Sequence, residues 1–157
     1  WPMVGGKTSA LLSTCTHIGA LLGYANEARQ EAFRLFGYHL GLAFQIQDDI
    51  LGIWGDEALT GKSAASDLVE GKNSLPVLFA LEKKGKFAER WAQGPITAND
   101  VATVSALLVD EGARAYAEKM SEVETQKALE HLKQADARGE AGDTILELAN
   151  TLLKRKQ

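Results

Sequence analysis

Apolar residues recur every three to four positions along almost the whole chain, which is the spacing of one face of an α-helix. The strict alternation typical of a β-strand never persists for more than a few residues. The sequence therefore predicts an all-α fold. Helices are expected over residues 7–24, 27–54, 75–84, 87–91, 98–112, 113–137 and 144–154. Asn26, Ser74 and Thr97 are predicted N-caps, because their side-chain oxygens can accept hydrogen bonds from free backbone N–H groups.

The centre of the helix predicted over residues 27–54 is apolar nearly all round, as a helix enclosed by others must be. It nevertheless carries two adjacent carboxylates, Asp48 and Asp49. Neighbouring ionised carboxylates repel, so on burial either one keeps a proton or a cation supplies the missing charge. Gln45 precedes Asp48 by three residues and Asp49 by four, so all three side chains should point toward one region.

A long polar loop is predicted over residues 55–73, and a loop of that size in a compact domain is usually functional. It contains Lys62, Asp67 and Lys72, and each lysine directly follows a glycine. Carboxylates, a hard divalent cation and converging lysines together describe a site for a diphosphate.

Charge and composition narrow the class of protein. A formal net charge of -4 without a basic stripe argues against nucleic acid as a partner. No apolar stretch reaches the ~18 residues that span a bilayer. The single cysteine, Cys15, fits a reducing compartment, and we expect a soluble cytoplasmic protein. His17, His39 and His131 lie at no spacing typical of metal ligands.

Four motifs resemble those of the trans-isoprenyl diphosphate synthases, in that family's order and spacing. They are Lys7-Thr8, Phe-Gln-x-x-Asp-Asp at 44–49, Gly-Lys-x-x-x-x-Asp at 61–67 and Gly-Lys-x-x-Leu-Pro at 71–76. The family's first aspartate-rich motif has no counterpart here, and the chain begins at Trp1 without an initiator methionine. By this resemblance, residues 1–157 are the C-terminal half of one all-α isoprenoid synthase domain, an incomplete helical bundle whose N-terminal helices are missing.

An incomplete bundle should leave apolar surface uncovered. The apolar side of the first predicted helix consists of Leu11, Leu12, Cys15, Ile18, Gly19 and Leu22. We expect the missing N-terminal half to accompany the chain and the complete protein to be a homodimer, as the resemblance implies. The chain alone is expected to be inactive.

The resemblance also implies an activity. A trans-prenyltransferase of isoprenoid biosynthesis condenses an allylic diphosphate with isopentenyl diphosphate into a longer linear isoprenyl diphosphate. Mg²⁺ assists departure of the diphosphate, and apolar helix faces shield the allylic cation from water. The released diphosphate is the expected proton acceptor, so no dedicated catalytic protein base is expected.

Site residues follow from the same resemblance. Asp48 and Asp49 are the expected magnesium ligands, whereas Asp67 is expected to brace the loop. The residues expected to bind substrate are Lys7, Thr8, Gln45, Lys62 and Lys72. The basic tail at 154–156 resembles the family's C-terminal end, which can fold over the isopentenyl diphosphate site.

Gly52 departs from the resembled family, which usually has a third aspartate there. An aspartate restored at this position is expected to be tolerated or mildly beneficial in a prenyltransferase. Asp48, Gly52 and Asp56 also follow the i, i+4, i+8 spacing of the metal triad of class I terpene cyclases, so a cyclase is one alternative. The lysines count against it, because cyclases generally rely on arginines. The other alternative is a non-catalytic synthase subunit.

Overall fold

A computed structural model describes residues 5–55 and 65–153, and every regular element in those ranges is helical, which confirms the all-α class. A π-helical turn, Gly5–Ser9, leads into α1 (Ala10–Leu22). The remaining helices are α2 (Glu27–Trp54), α3 (Ser66–Val69), α4 (Leu75–Lys83), α5 (Lys86–Ala92), α6 (Val101–Asp110), α7 (Ala113–Gln134) and α8 (Gly139–Leu153). None of these helices has the length and hydropathy needed to cross a membrane.

The helix starts agree only partly with the predicted caps. Asn26 caps α2 as predicted, since its Oδ1 accepts a hydrogen bond of 3.0 Å from the backbone N of Arg29. Ser74 stands at the N-cap position of α4, but its side chain makes no capping hydrogen bond there. Thr97 is not the cap of α6, because Asp100 holds that position and its carboxylate accepts hydrogen bonds from the backbone N and Oγ1 of Thr97.

The chain divides into two compact units. One consists of residues 1–45 with 120–156, and the other of residues 46–119. The expectation that residues 1–157 belong to one domain stays a prediction.

The unit of residues 46–119 has a core drawn from the end of α2 and from α3 to α6. Phe87 and Leu108 are fully buried in it, and so is Leu68, the residue after Asp67. Ile53, near the end of α2, belongs to the same core. This packing fixes the end of α2 and the short helix α3 in one place, so the acidic residues of both have defined positions.

In the unit of residues 1–45 and 120–156, α1 packs through its small and polar side. Ser13 and Ala20 are buried, and Thr16 Oγ1 donates a hydrogen bond of 2.7 Å to the carbonyl of Phe33 on α2. The exposed apolar residues of α1 and the turn after it are Leu11, Ile18, Leu21, Leu22 and Tyr24. Most of the apolar side that the sequence predicts is thus uncovered in this chain, as expected of an incomplete bundle.

A buried acid and a histidine join α2 to α7 in the same unit. Glu124 is 4% exposed, its Oε2 lies 2.6 Å from Nδ1 of His39, and its Oε1 accepts a hydrogen bond of 2.8 Å from Nζ of Lys127. Burial alone raises the pKa of Glu124, but the hydrogen bonds from Lys127 and His39 outweigh it and hold that pKa below its ordinary value. The ring of His39 also stacks on that of His131, with 5.4 Å between centroids.

The stability of the folded protein should therefore depend on pH through the protonation of Glu124. Because its pKa is lower in the folded state, its contribution is present above the unfolded pKa of about 4.3 and is lost as pH falls through the folded value. We expect Glu124→Gln to lower the free energy of unfolding of the complete protein by about 1–3 kcal/mol at pH 7. The difference from wild type should shrink below about pH 4.3.

The measurement is denaturant unfolding of the two proteins at pH 7 and at acid pH. Glu122→Gln, an exposed change on the same helix, is the control and should have little effect at either pH. A deficit in Glu124→Gln that stays constant with pH would contradict this assignment.

Candidate active site

The adjacent carboxylates on α2 lie in different environments. Asp49 is buried, with 5% of the residue exposed, whereas 34% of the Asp48 side chain is exposed. Neighbouring residues of a helix point about 100° apart, which places one carboxylate in the packed interior and the other at its edge. Asp48 is thus accessible to a ligand, and Asp49 is held by protein groups.

A lysine from the loop lies among three carboxylates. Nζ of Lys72 is 2.8 Å from Oδ2 of Asp67, 3.2 Å from Oδ1 of Asp49 and 3.8 Å from Oδ2 of Asp48. We call these four residues the carboxylate cluster. Burial opposes the charged lysine, but the hydrogen bond to Asp67 and the charges of Asp49 and Asp67 outweigh it and raise the pKa of Lys72. Among the described residues, the ammonium of Lys72 is thus shared by three acids.

Asp49 also begins a helix. Its Oδ2 accepts a hydrogen bond of 2.9 Å from the backbone N of Leu75, the first residue of α4. A carboxylate at a helix N-terminus satisfies a free N–H and interacts favourably with the helix dipole. Asp49 therefore does what the sequence led us to expect of Ser74, and it ties α2 to the loop that ends in α4.

Asp67 occupies the space of a side chain at position 52. A Cβ placed on Gly52 would lie 2.4 Å from both Cγ and Oδ2 of Asp67 and 2.7 Å from Oδ1. No Cβ fits at such distances. A side chain at position 52 therefore requires the side chain of Asp67 to shift, and the expectation that an aspartate there is tolerated stays a prediction.

The Lys-Thr motif meets α2 in the unit of residues 1–45 and 120–156. Oγ1 of Thr8 donates a hydrogen bond of 3.0 Å to Oε1 of Gln45. Gly41 permits this approach, since a Cβ there would lie 2.5 Å from Cα of Ser9. Thr8 and Gln45 are thus brought together, and Lys7 is exposed on the same turn.

Three further predictions fall on residues outside the described ranges. They are the substrate-binding role of Lys62, the cyclase-like spacing that ends at Asp56, and the basic tail at 154–156. Among the site residues that the structure does describe, Asp48, Asp49 and Lys72 lie together in the unit of residues 46–119.

The carboxylate cluster has the type of ligand atom that a hard cation prefers. The oxygens that surround Lys72 are carboxylate oxygens, which are the ligands that Mg²⁺ prefers. In this structure the ammonium of Lys72 lies among them and supplies positive charge there. Within residues 5–55 and 65–153, no three His, Cys, Asp or Glu side chains form a group that could hold a metal ion. A metal at Asp48 and Asp49 thus depends on displacing Lys72 and on oxygens supplied by a ligand or by other residues.

The chain is similar in sequence to proteins of known function. The sequence profile of the family described as Polyprenyl synthetase matches residues 1–109. A geranylgeranyl diphosphate synthase of Mycobacterium tuberculosis is 40% identical over 138 residues, which cover 85% of this chain and 39% of that protein.

Two solved structures share the fold. A polyprenyl synthetase from Streptomyces coelicolor is similar with a TM-score of 0.86 and 37% identity over 96% of this chain and 48% of its own. A geranylgeranyl pyrophosphate synthase from Corynebacterium glutamicum, complexed with isoprenyl diphosphate and magnesium, has a TM-score of 0.75 and 28% identity over 88% and 41%. The chain spans at most about half the length of these relatives.

Proposed function

The chain belongs to the polyprenyl synthetase family, and from this we propose that the complete protein is a magnesium-dependent prenyltransferase. Its substrates are an allylic diphosphate and isopentenyl diphosphate, and its product is a longer linear isoprenyl diphosphate. The observation that carries the proposal is the carboxylate cluster, in which three acids share the ammonium of Lys72. The magnesium and isoprenyl diphosphate bound in the related Corynebacterium glutamicum structure support it.

Asp48 and Asp49 are the proposed magnesium ligands. Asp49 is held in one orientation by the backbone N–H of Leu75, while Asp48 keeps an exposed face through which a ligand can enter. Bound magnesium supplies positive charge to the departing diphosphate and so lowers the barrier to breaking its bond to the allylic carbon.

Lysines supply the rest of the charge for the substrate. Lys7, Lys62 and Lys72 bind the allylic diphosphate, with Lys72 exchanging its carboxylate partners for phosphate oxygens. The hydrogen bond between Thr8 and Gln45 holds the turn that carries Lys7 against α2. The turn that carries Lys7 is thus positioned before the reaction begins, which is where most of an electrostatic rate gain arises.

The reaction balances without a protein base. The allylic carbon–oxygen bond breaks and releases diphosphate, and the double bond of isopentenyl diphosphate forms the new carbon–carbon bond. The proton that is then lost passes to the released diphosphate. The protein's part is to bind both substrates and to keep water from the cation.

The exposed apolar side of α1 indicates that other parts of the complete protein pack against it. Leu11, Leu22 and Tyr24 are largely exposed in these 157 residues, with Leu22 73% exposed. We propose that an upstream half carrying the first aspartate-rich motif, and a second subunit in a homodimer, cover this surface. Without that half, the 157 residues are proposed to be inactive. The net charge and single cysteine support a cytoplasmic location for the complete protein.

A product assay tests the proposed function. The complete protein is incubated with Mg²⁺ and a labelled allylic diphosphate, with and without isopentenyl diphosphate. We expect a linear diphosphate lengthened by five-carbon units, formed only when isopentenyl diphosphate is present. A cyclic hydrocarbon formed without it would favour a terpene cyclase. No product from a protein whose upstream motif is intact would favour a non-catalytic subunit.

A further inference from the structure

Two glycines of α2 lie against the backbone of the segment that begins the chain's first helix. A Cβ on Gly41 would lie 2.5 Å from Cα of Ser9, and a Cβ on Gly37, one turn earlier, would lie 2.5 Å from the backbone oxygen of Leu12. Cβ atoms in proteins essentially never come within 3.0 Å of such atoms. Glycine is unfavourable inside a helix, and one of its uses is to let another backbone approach closely. The two segments are therefore in backbone contact at these positions.

The contact at Gly41 supports the π-helical turn that carries the Lys-Thr motif. Ser9 is the last residue of this turn, follows Lys7 by two positions and is fully buried. Its hydroxyl has no hydrogen-bond partner among the described residues, so its small size, and not a hydrogen bond, fits it against α2. One turn further along α2, Gln45 accepts the hydrogen bond from Thr8. The turn is thus held against α2 by one close contact and one hydrogen bond, and single π-helical turns are frequently found at functional sites.

We propose that Gly41 is a positioning residue for the allylic diphosphate: by admitting the backbone of Ser9, it sets the depth at which Lys7 meets the substrate. The inference rests on the proposed function, because it concerns the substrate-binding role of Lys7. A side chain at position 41 would have to move the turn outward by roughly 1 Å to reach an ordinary contact distance, and a misplacement of that size can cost about 10²-fold in rate. Gly37 admits α1 in the same way, but its contacts lie further along the chain from Lys7.

Binding of an unreactive allylic thiolodiphosphate to the complete protein in Mg²⁺, measured by calorimetry, tests this. Gly41→Ala should weaken binding by roughly ten- to a hundredfold. Gly142→Ala is the matched control, because Gly142 is buried in α8 and a Cβ there would lie 2.6 Å from the backbone carbon of Ala137, in the turn between α7 and α8. It introduces the same kind of backbone clash in the same unit, so it should lose thermal stability as Gly41→Ala does but bind the analogue as wild type does.

A double-mutant cycle with Lys7→Met shows whether Gly41 acts through Lys7. Lys7→Met removes the charge and should itself weaken binding. Adding Gly41→Ala to Lys7→Met should then weaken binding further by no more than about threefold, because the group that the shift misplaces is already gone. A clash that only loosened the fold would weaken binding by the same factor in both backgrounds.

Wild-type affinity in Gly41→Ala or in Lys7→Met, or an equal loss from Gly41→Ala in both backgrounds, would overturn the inference. If thermal unfolding shows that Gly41→Ala does not fold, Ser9→Thr takes its place, since it adds one methyl group to the buried side of the turn and leaves α2 unchanged. It should also weaken binding, and wild-type affinity in that variant would overturn the inference. Because binding is measured without reaction, a protein that binds the analogue but does not incorporate isopentenyl diphosphate would count against the proposed function alone.

Discussion

Replacing Asp48 by alanine in the complete protein is expected to lower turnover by about 10² to 10³, the usual effect of losing one electrostatic stabiliser. Stability should change little, because the Asp48 side chain is one-third exposed and its ion pair with Lys72 is 3.8 Å long. Partly exposed ion pairs at such distances contribute about 0–1 kcal/mol. The measurement is kcat at saturating substrates and Mg²⁺, with thermal unfolding of the same preparation.

Asp110→Ala provides the matched control, since it removes an exposed aspartate at the end of α6 in the same unit. Its turnover should equal that of wild type. If Asp48→Ala and Asp110→Ala had the same turnover, Asp48 would not be a magnesium ligand.

Asp49→Ala is expected to lower both turnover and stability. The substitution removes a proposed metal ligand and also the acceptor for the backbone N–H of Leu75 and a partner of Lys72. The hydrogen bond to Leu75 is partly buried, and a donor left there without its partner costs about 1–3 kcal/mol, so the free energy of unfolding should fall by up to that amount. Turnover should fall at least as far as in Asp48→Ala.

Asp49→Asn separates the two roles of Asp49. Its side-chain carbonyl can still accept the hydrogen bond from Leu75, so most of the stability should remain, while the lost charge should keep turnover low. Denaturant unfolding and kcat of the Ala and Asn variants provide the comparison. Equal stability of Asp48→Ala and Asp49→Ala would show that Asp49 does not hold the start of α4.

Helix periodicity was sufficient to predict the all-α class and the long helix α2, because a residue's face depends only on its spacing along one helix. The local cap at Asn26 is confirmed for the same reason: its acceptor and the N–H of Arg29 are three residues apart. Interactions of this kind are set by neighbours in sequence and can be predicted from it.

The start of α4 shows what the sequence does not reveal. Its cap is the carboxylate of Asp49, 26 residues before Leu75, and the start of α5 is similarly held by Glu111, whose Oε1 accepts from the backbone N of Phe87. Such caps depend on which helices pack together. Ser74 satisfied the local rule but the packed arrangement supplied a charged acceptor instead.

Gly52 was recognised in the sequence as a departure, but its meaning was not. A missing side chain indicates either lost function or space for another group, and only the packing distinguishes the two. In the structure the side chain of Asp67 lies in the space that a side chain at position 52 would take. The exposed apolar face of α1 also could not be interpreted from sequence alone. Periodicity predicts an apolar side but does not say which part of the protein covers it.

Binding of an unreactive allylic thiolodiphosphate to the complete protein, measured by calorimetry, tests most directly the claim that the carboxylate cluster is a magnesium and diphosphate site. With wild type, binding should require Mg²⁺ and disappear when EDTA removes it. With Asp48→Ala, affinity in Mg²⁺ should fall at least about tenfold. Equal affinity in Mg²⁺ and EDTA, or unchanged affinity in Asp48→Ala, would contradict the proposed site.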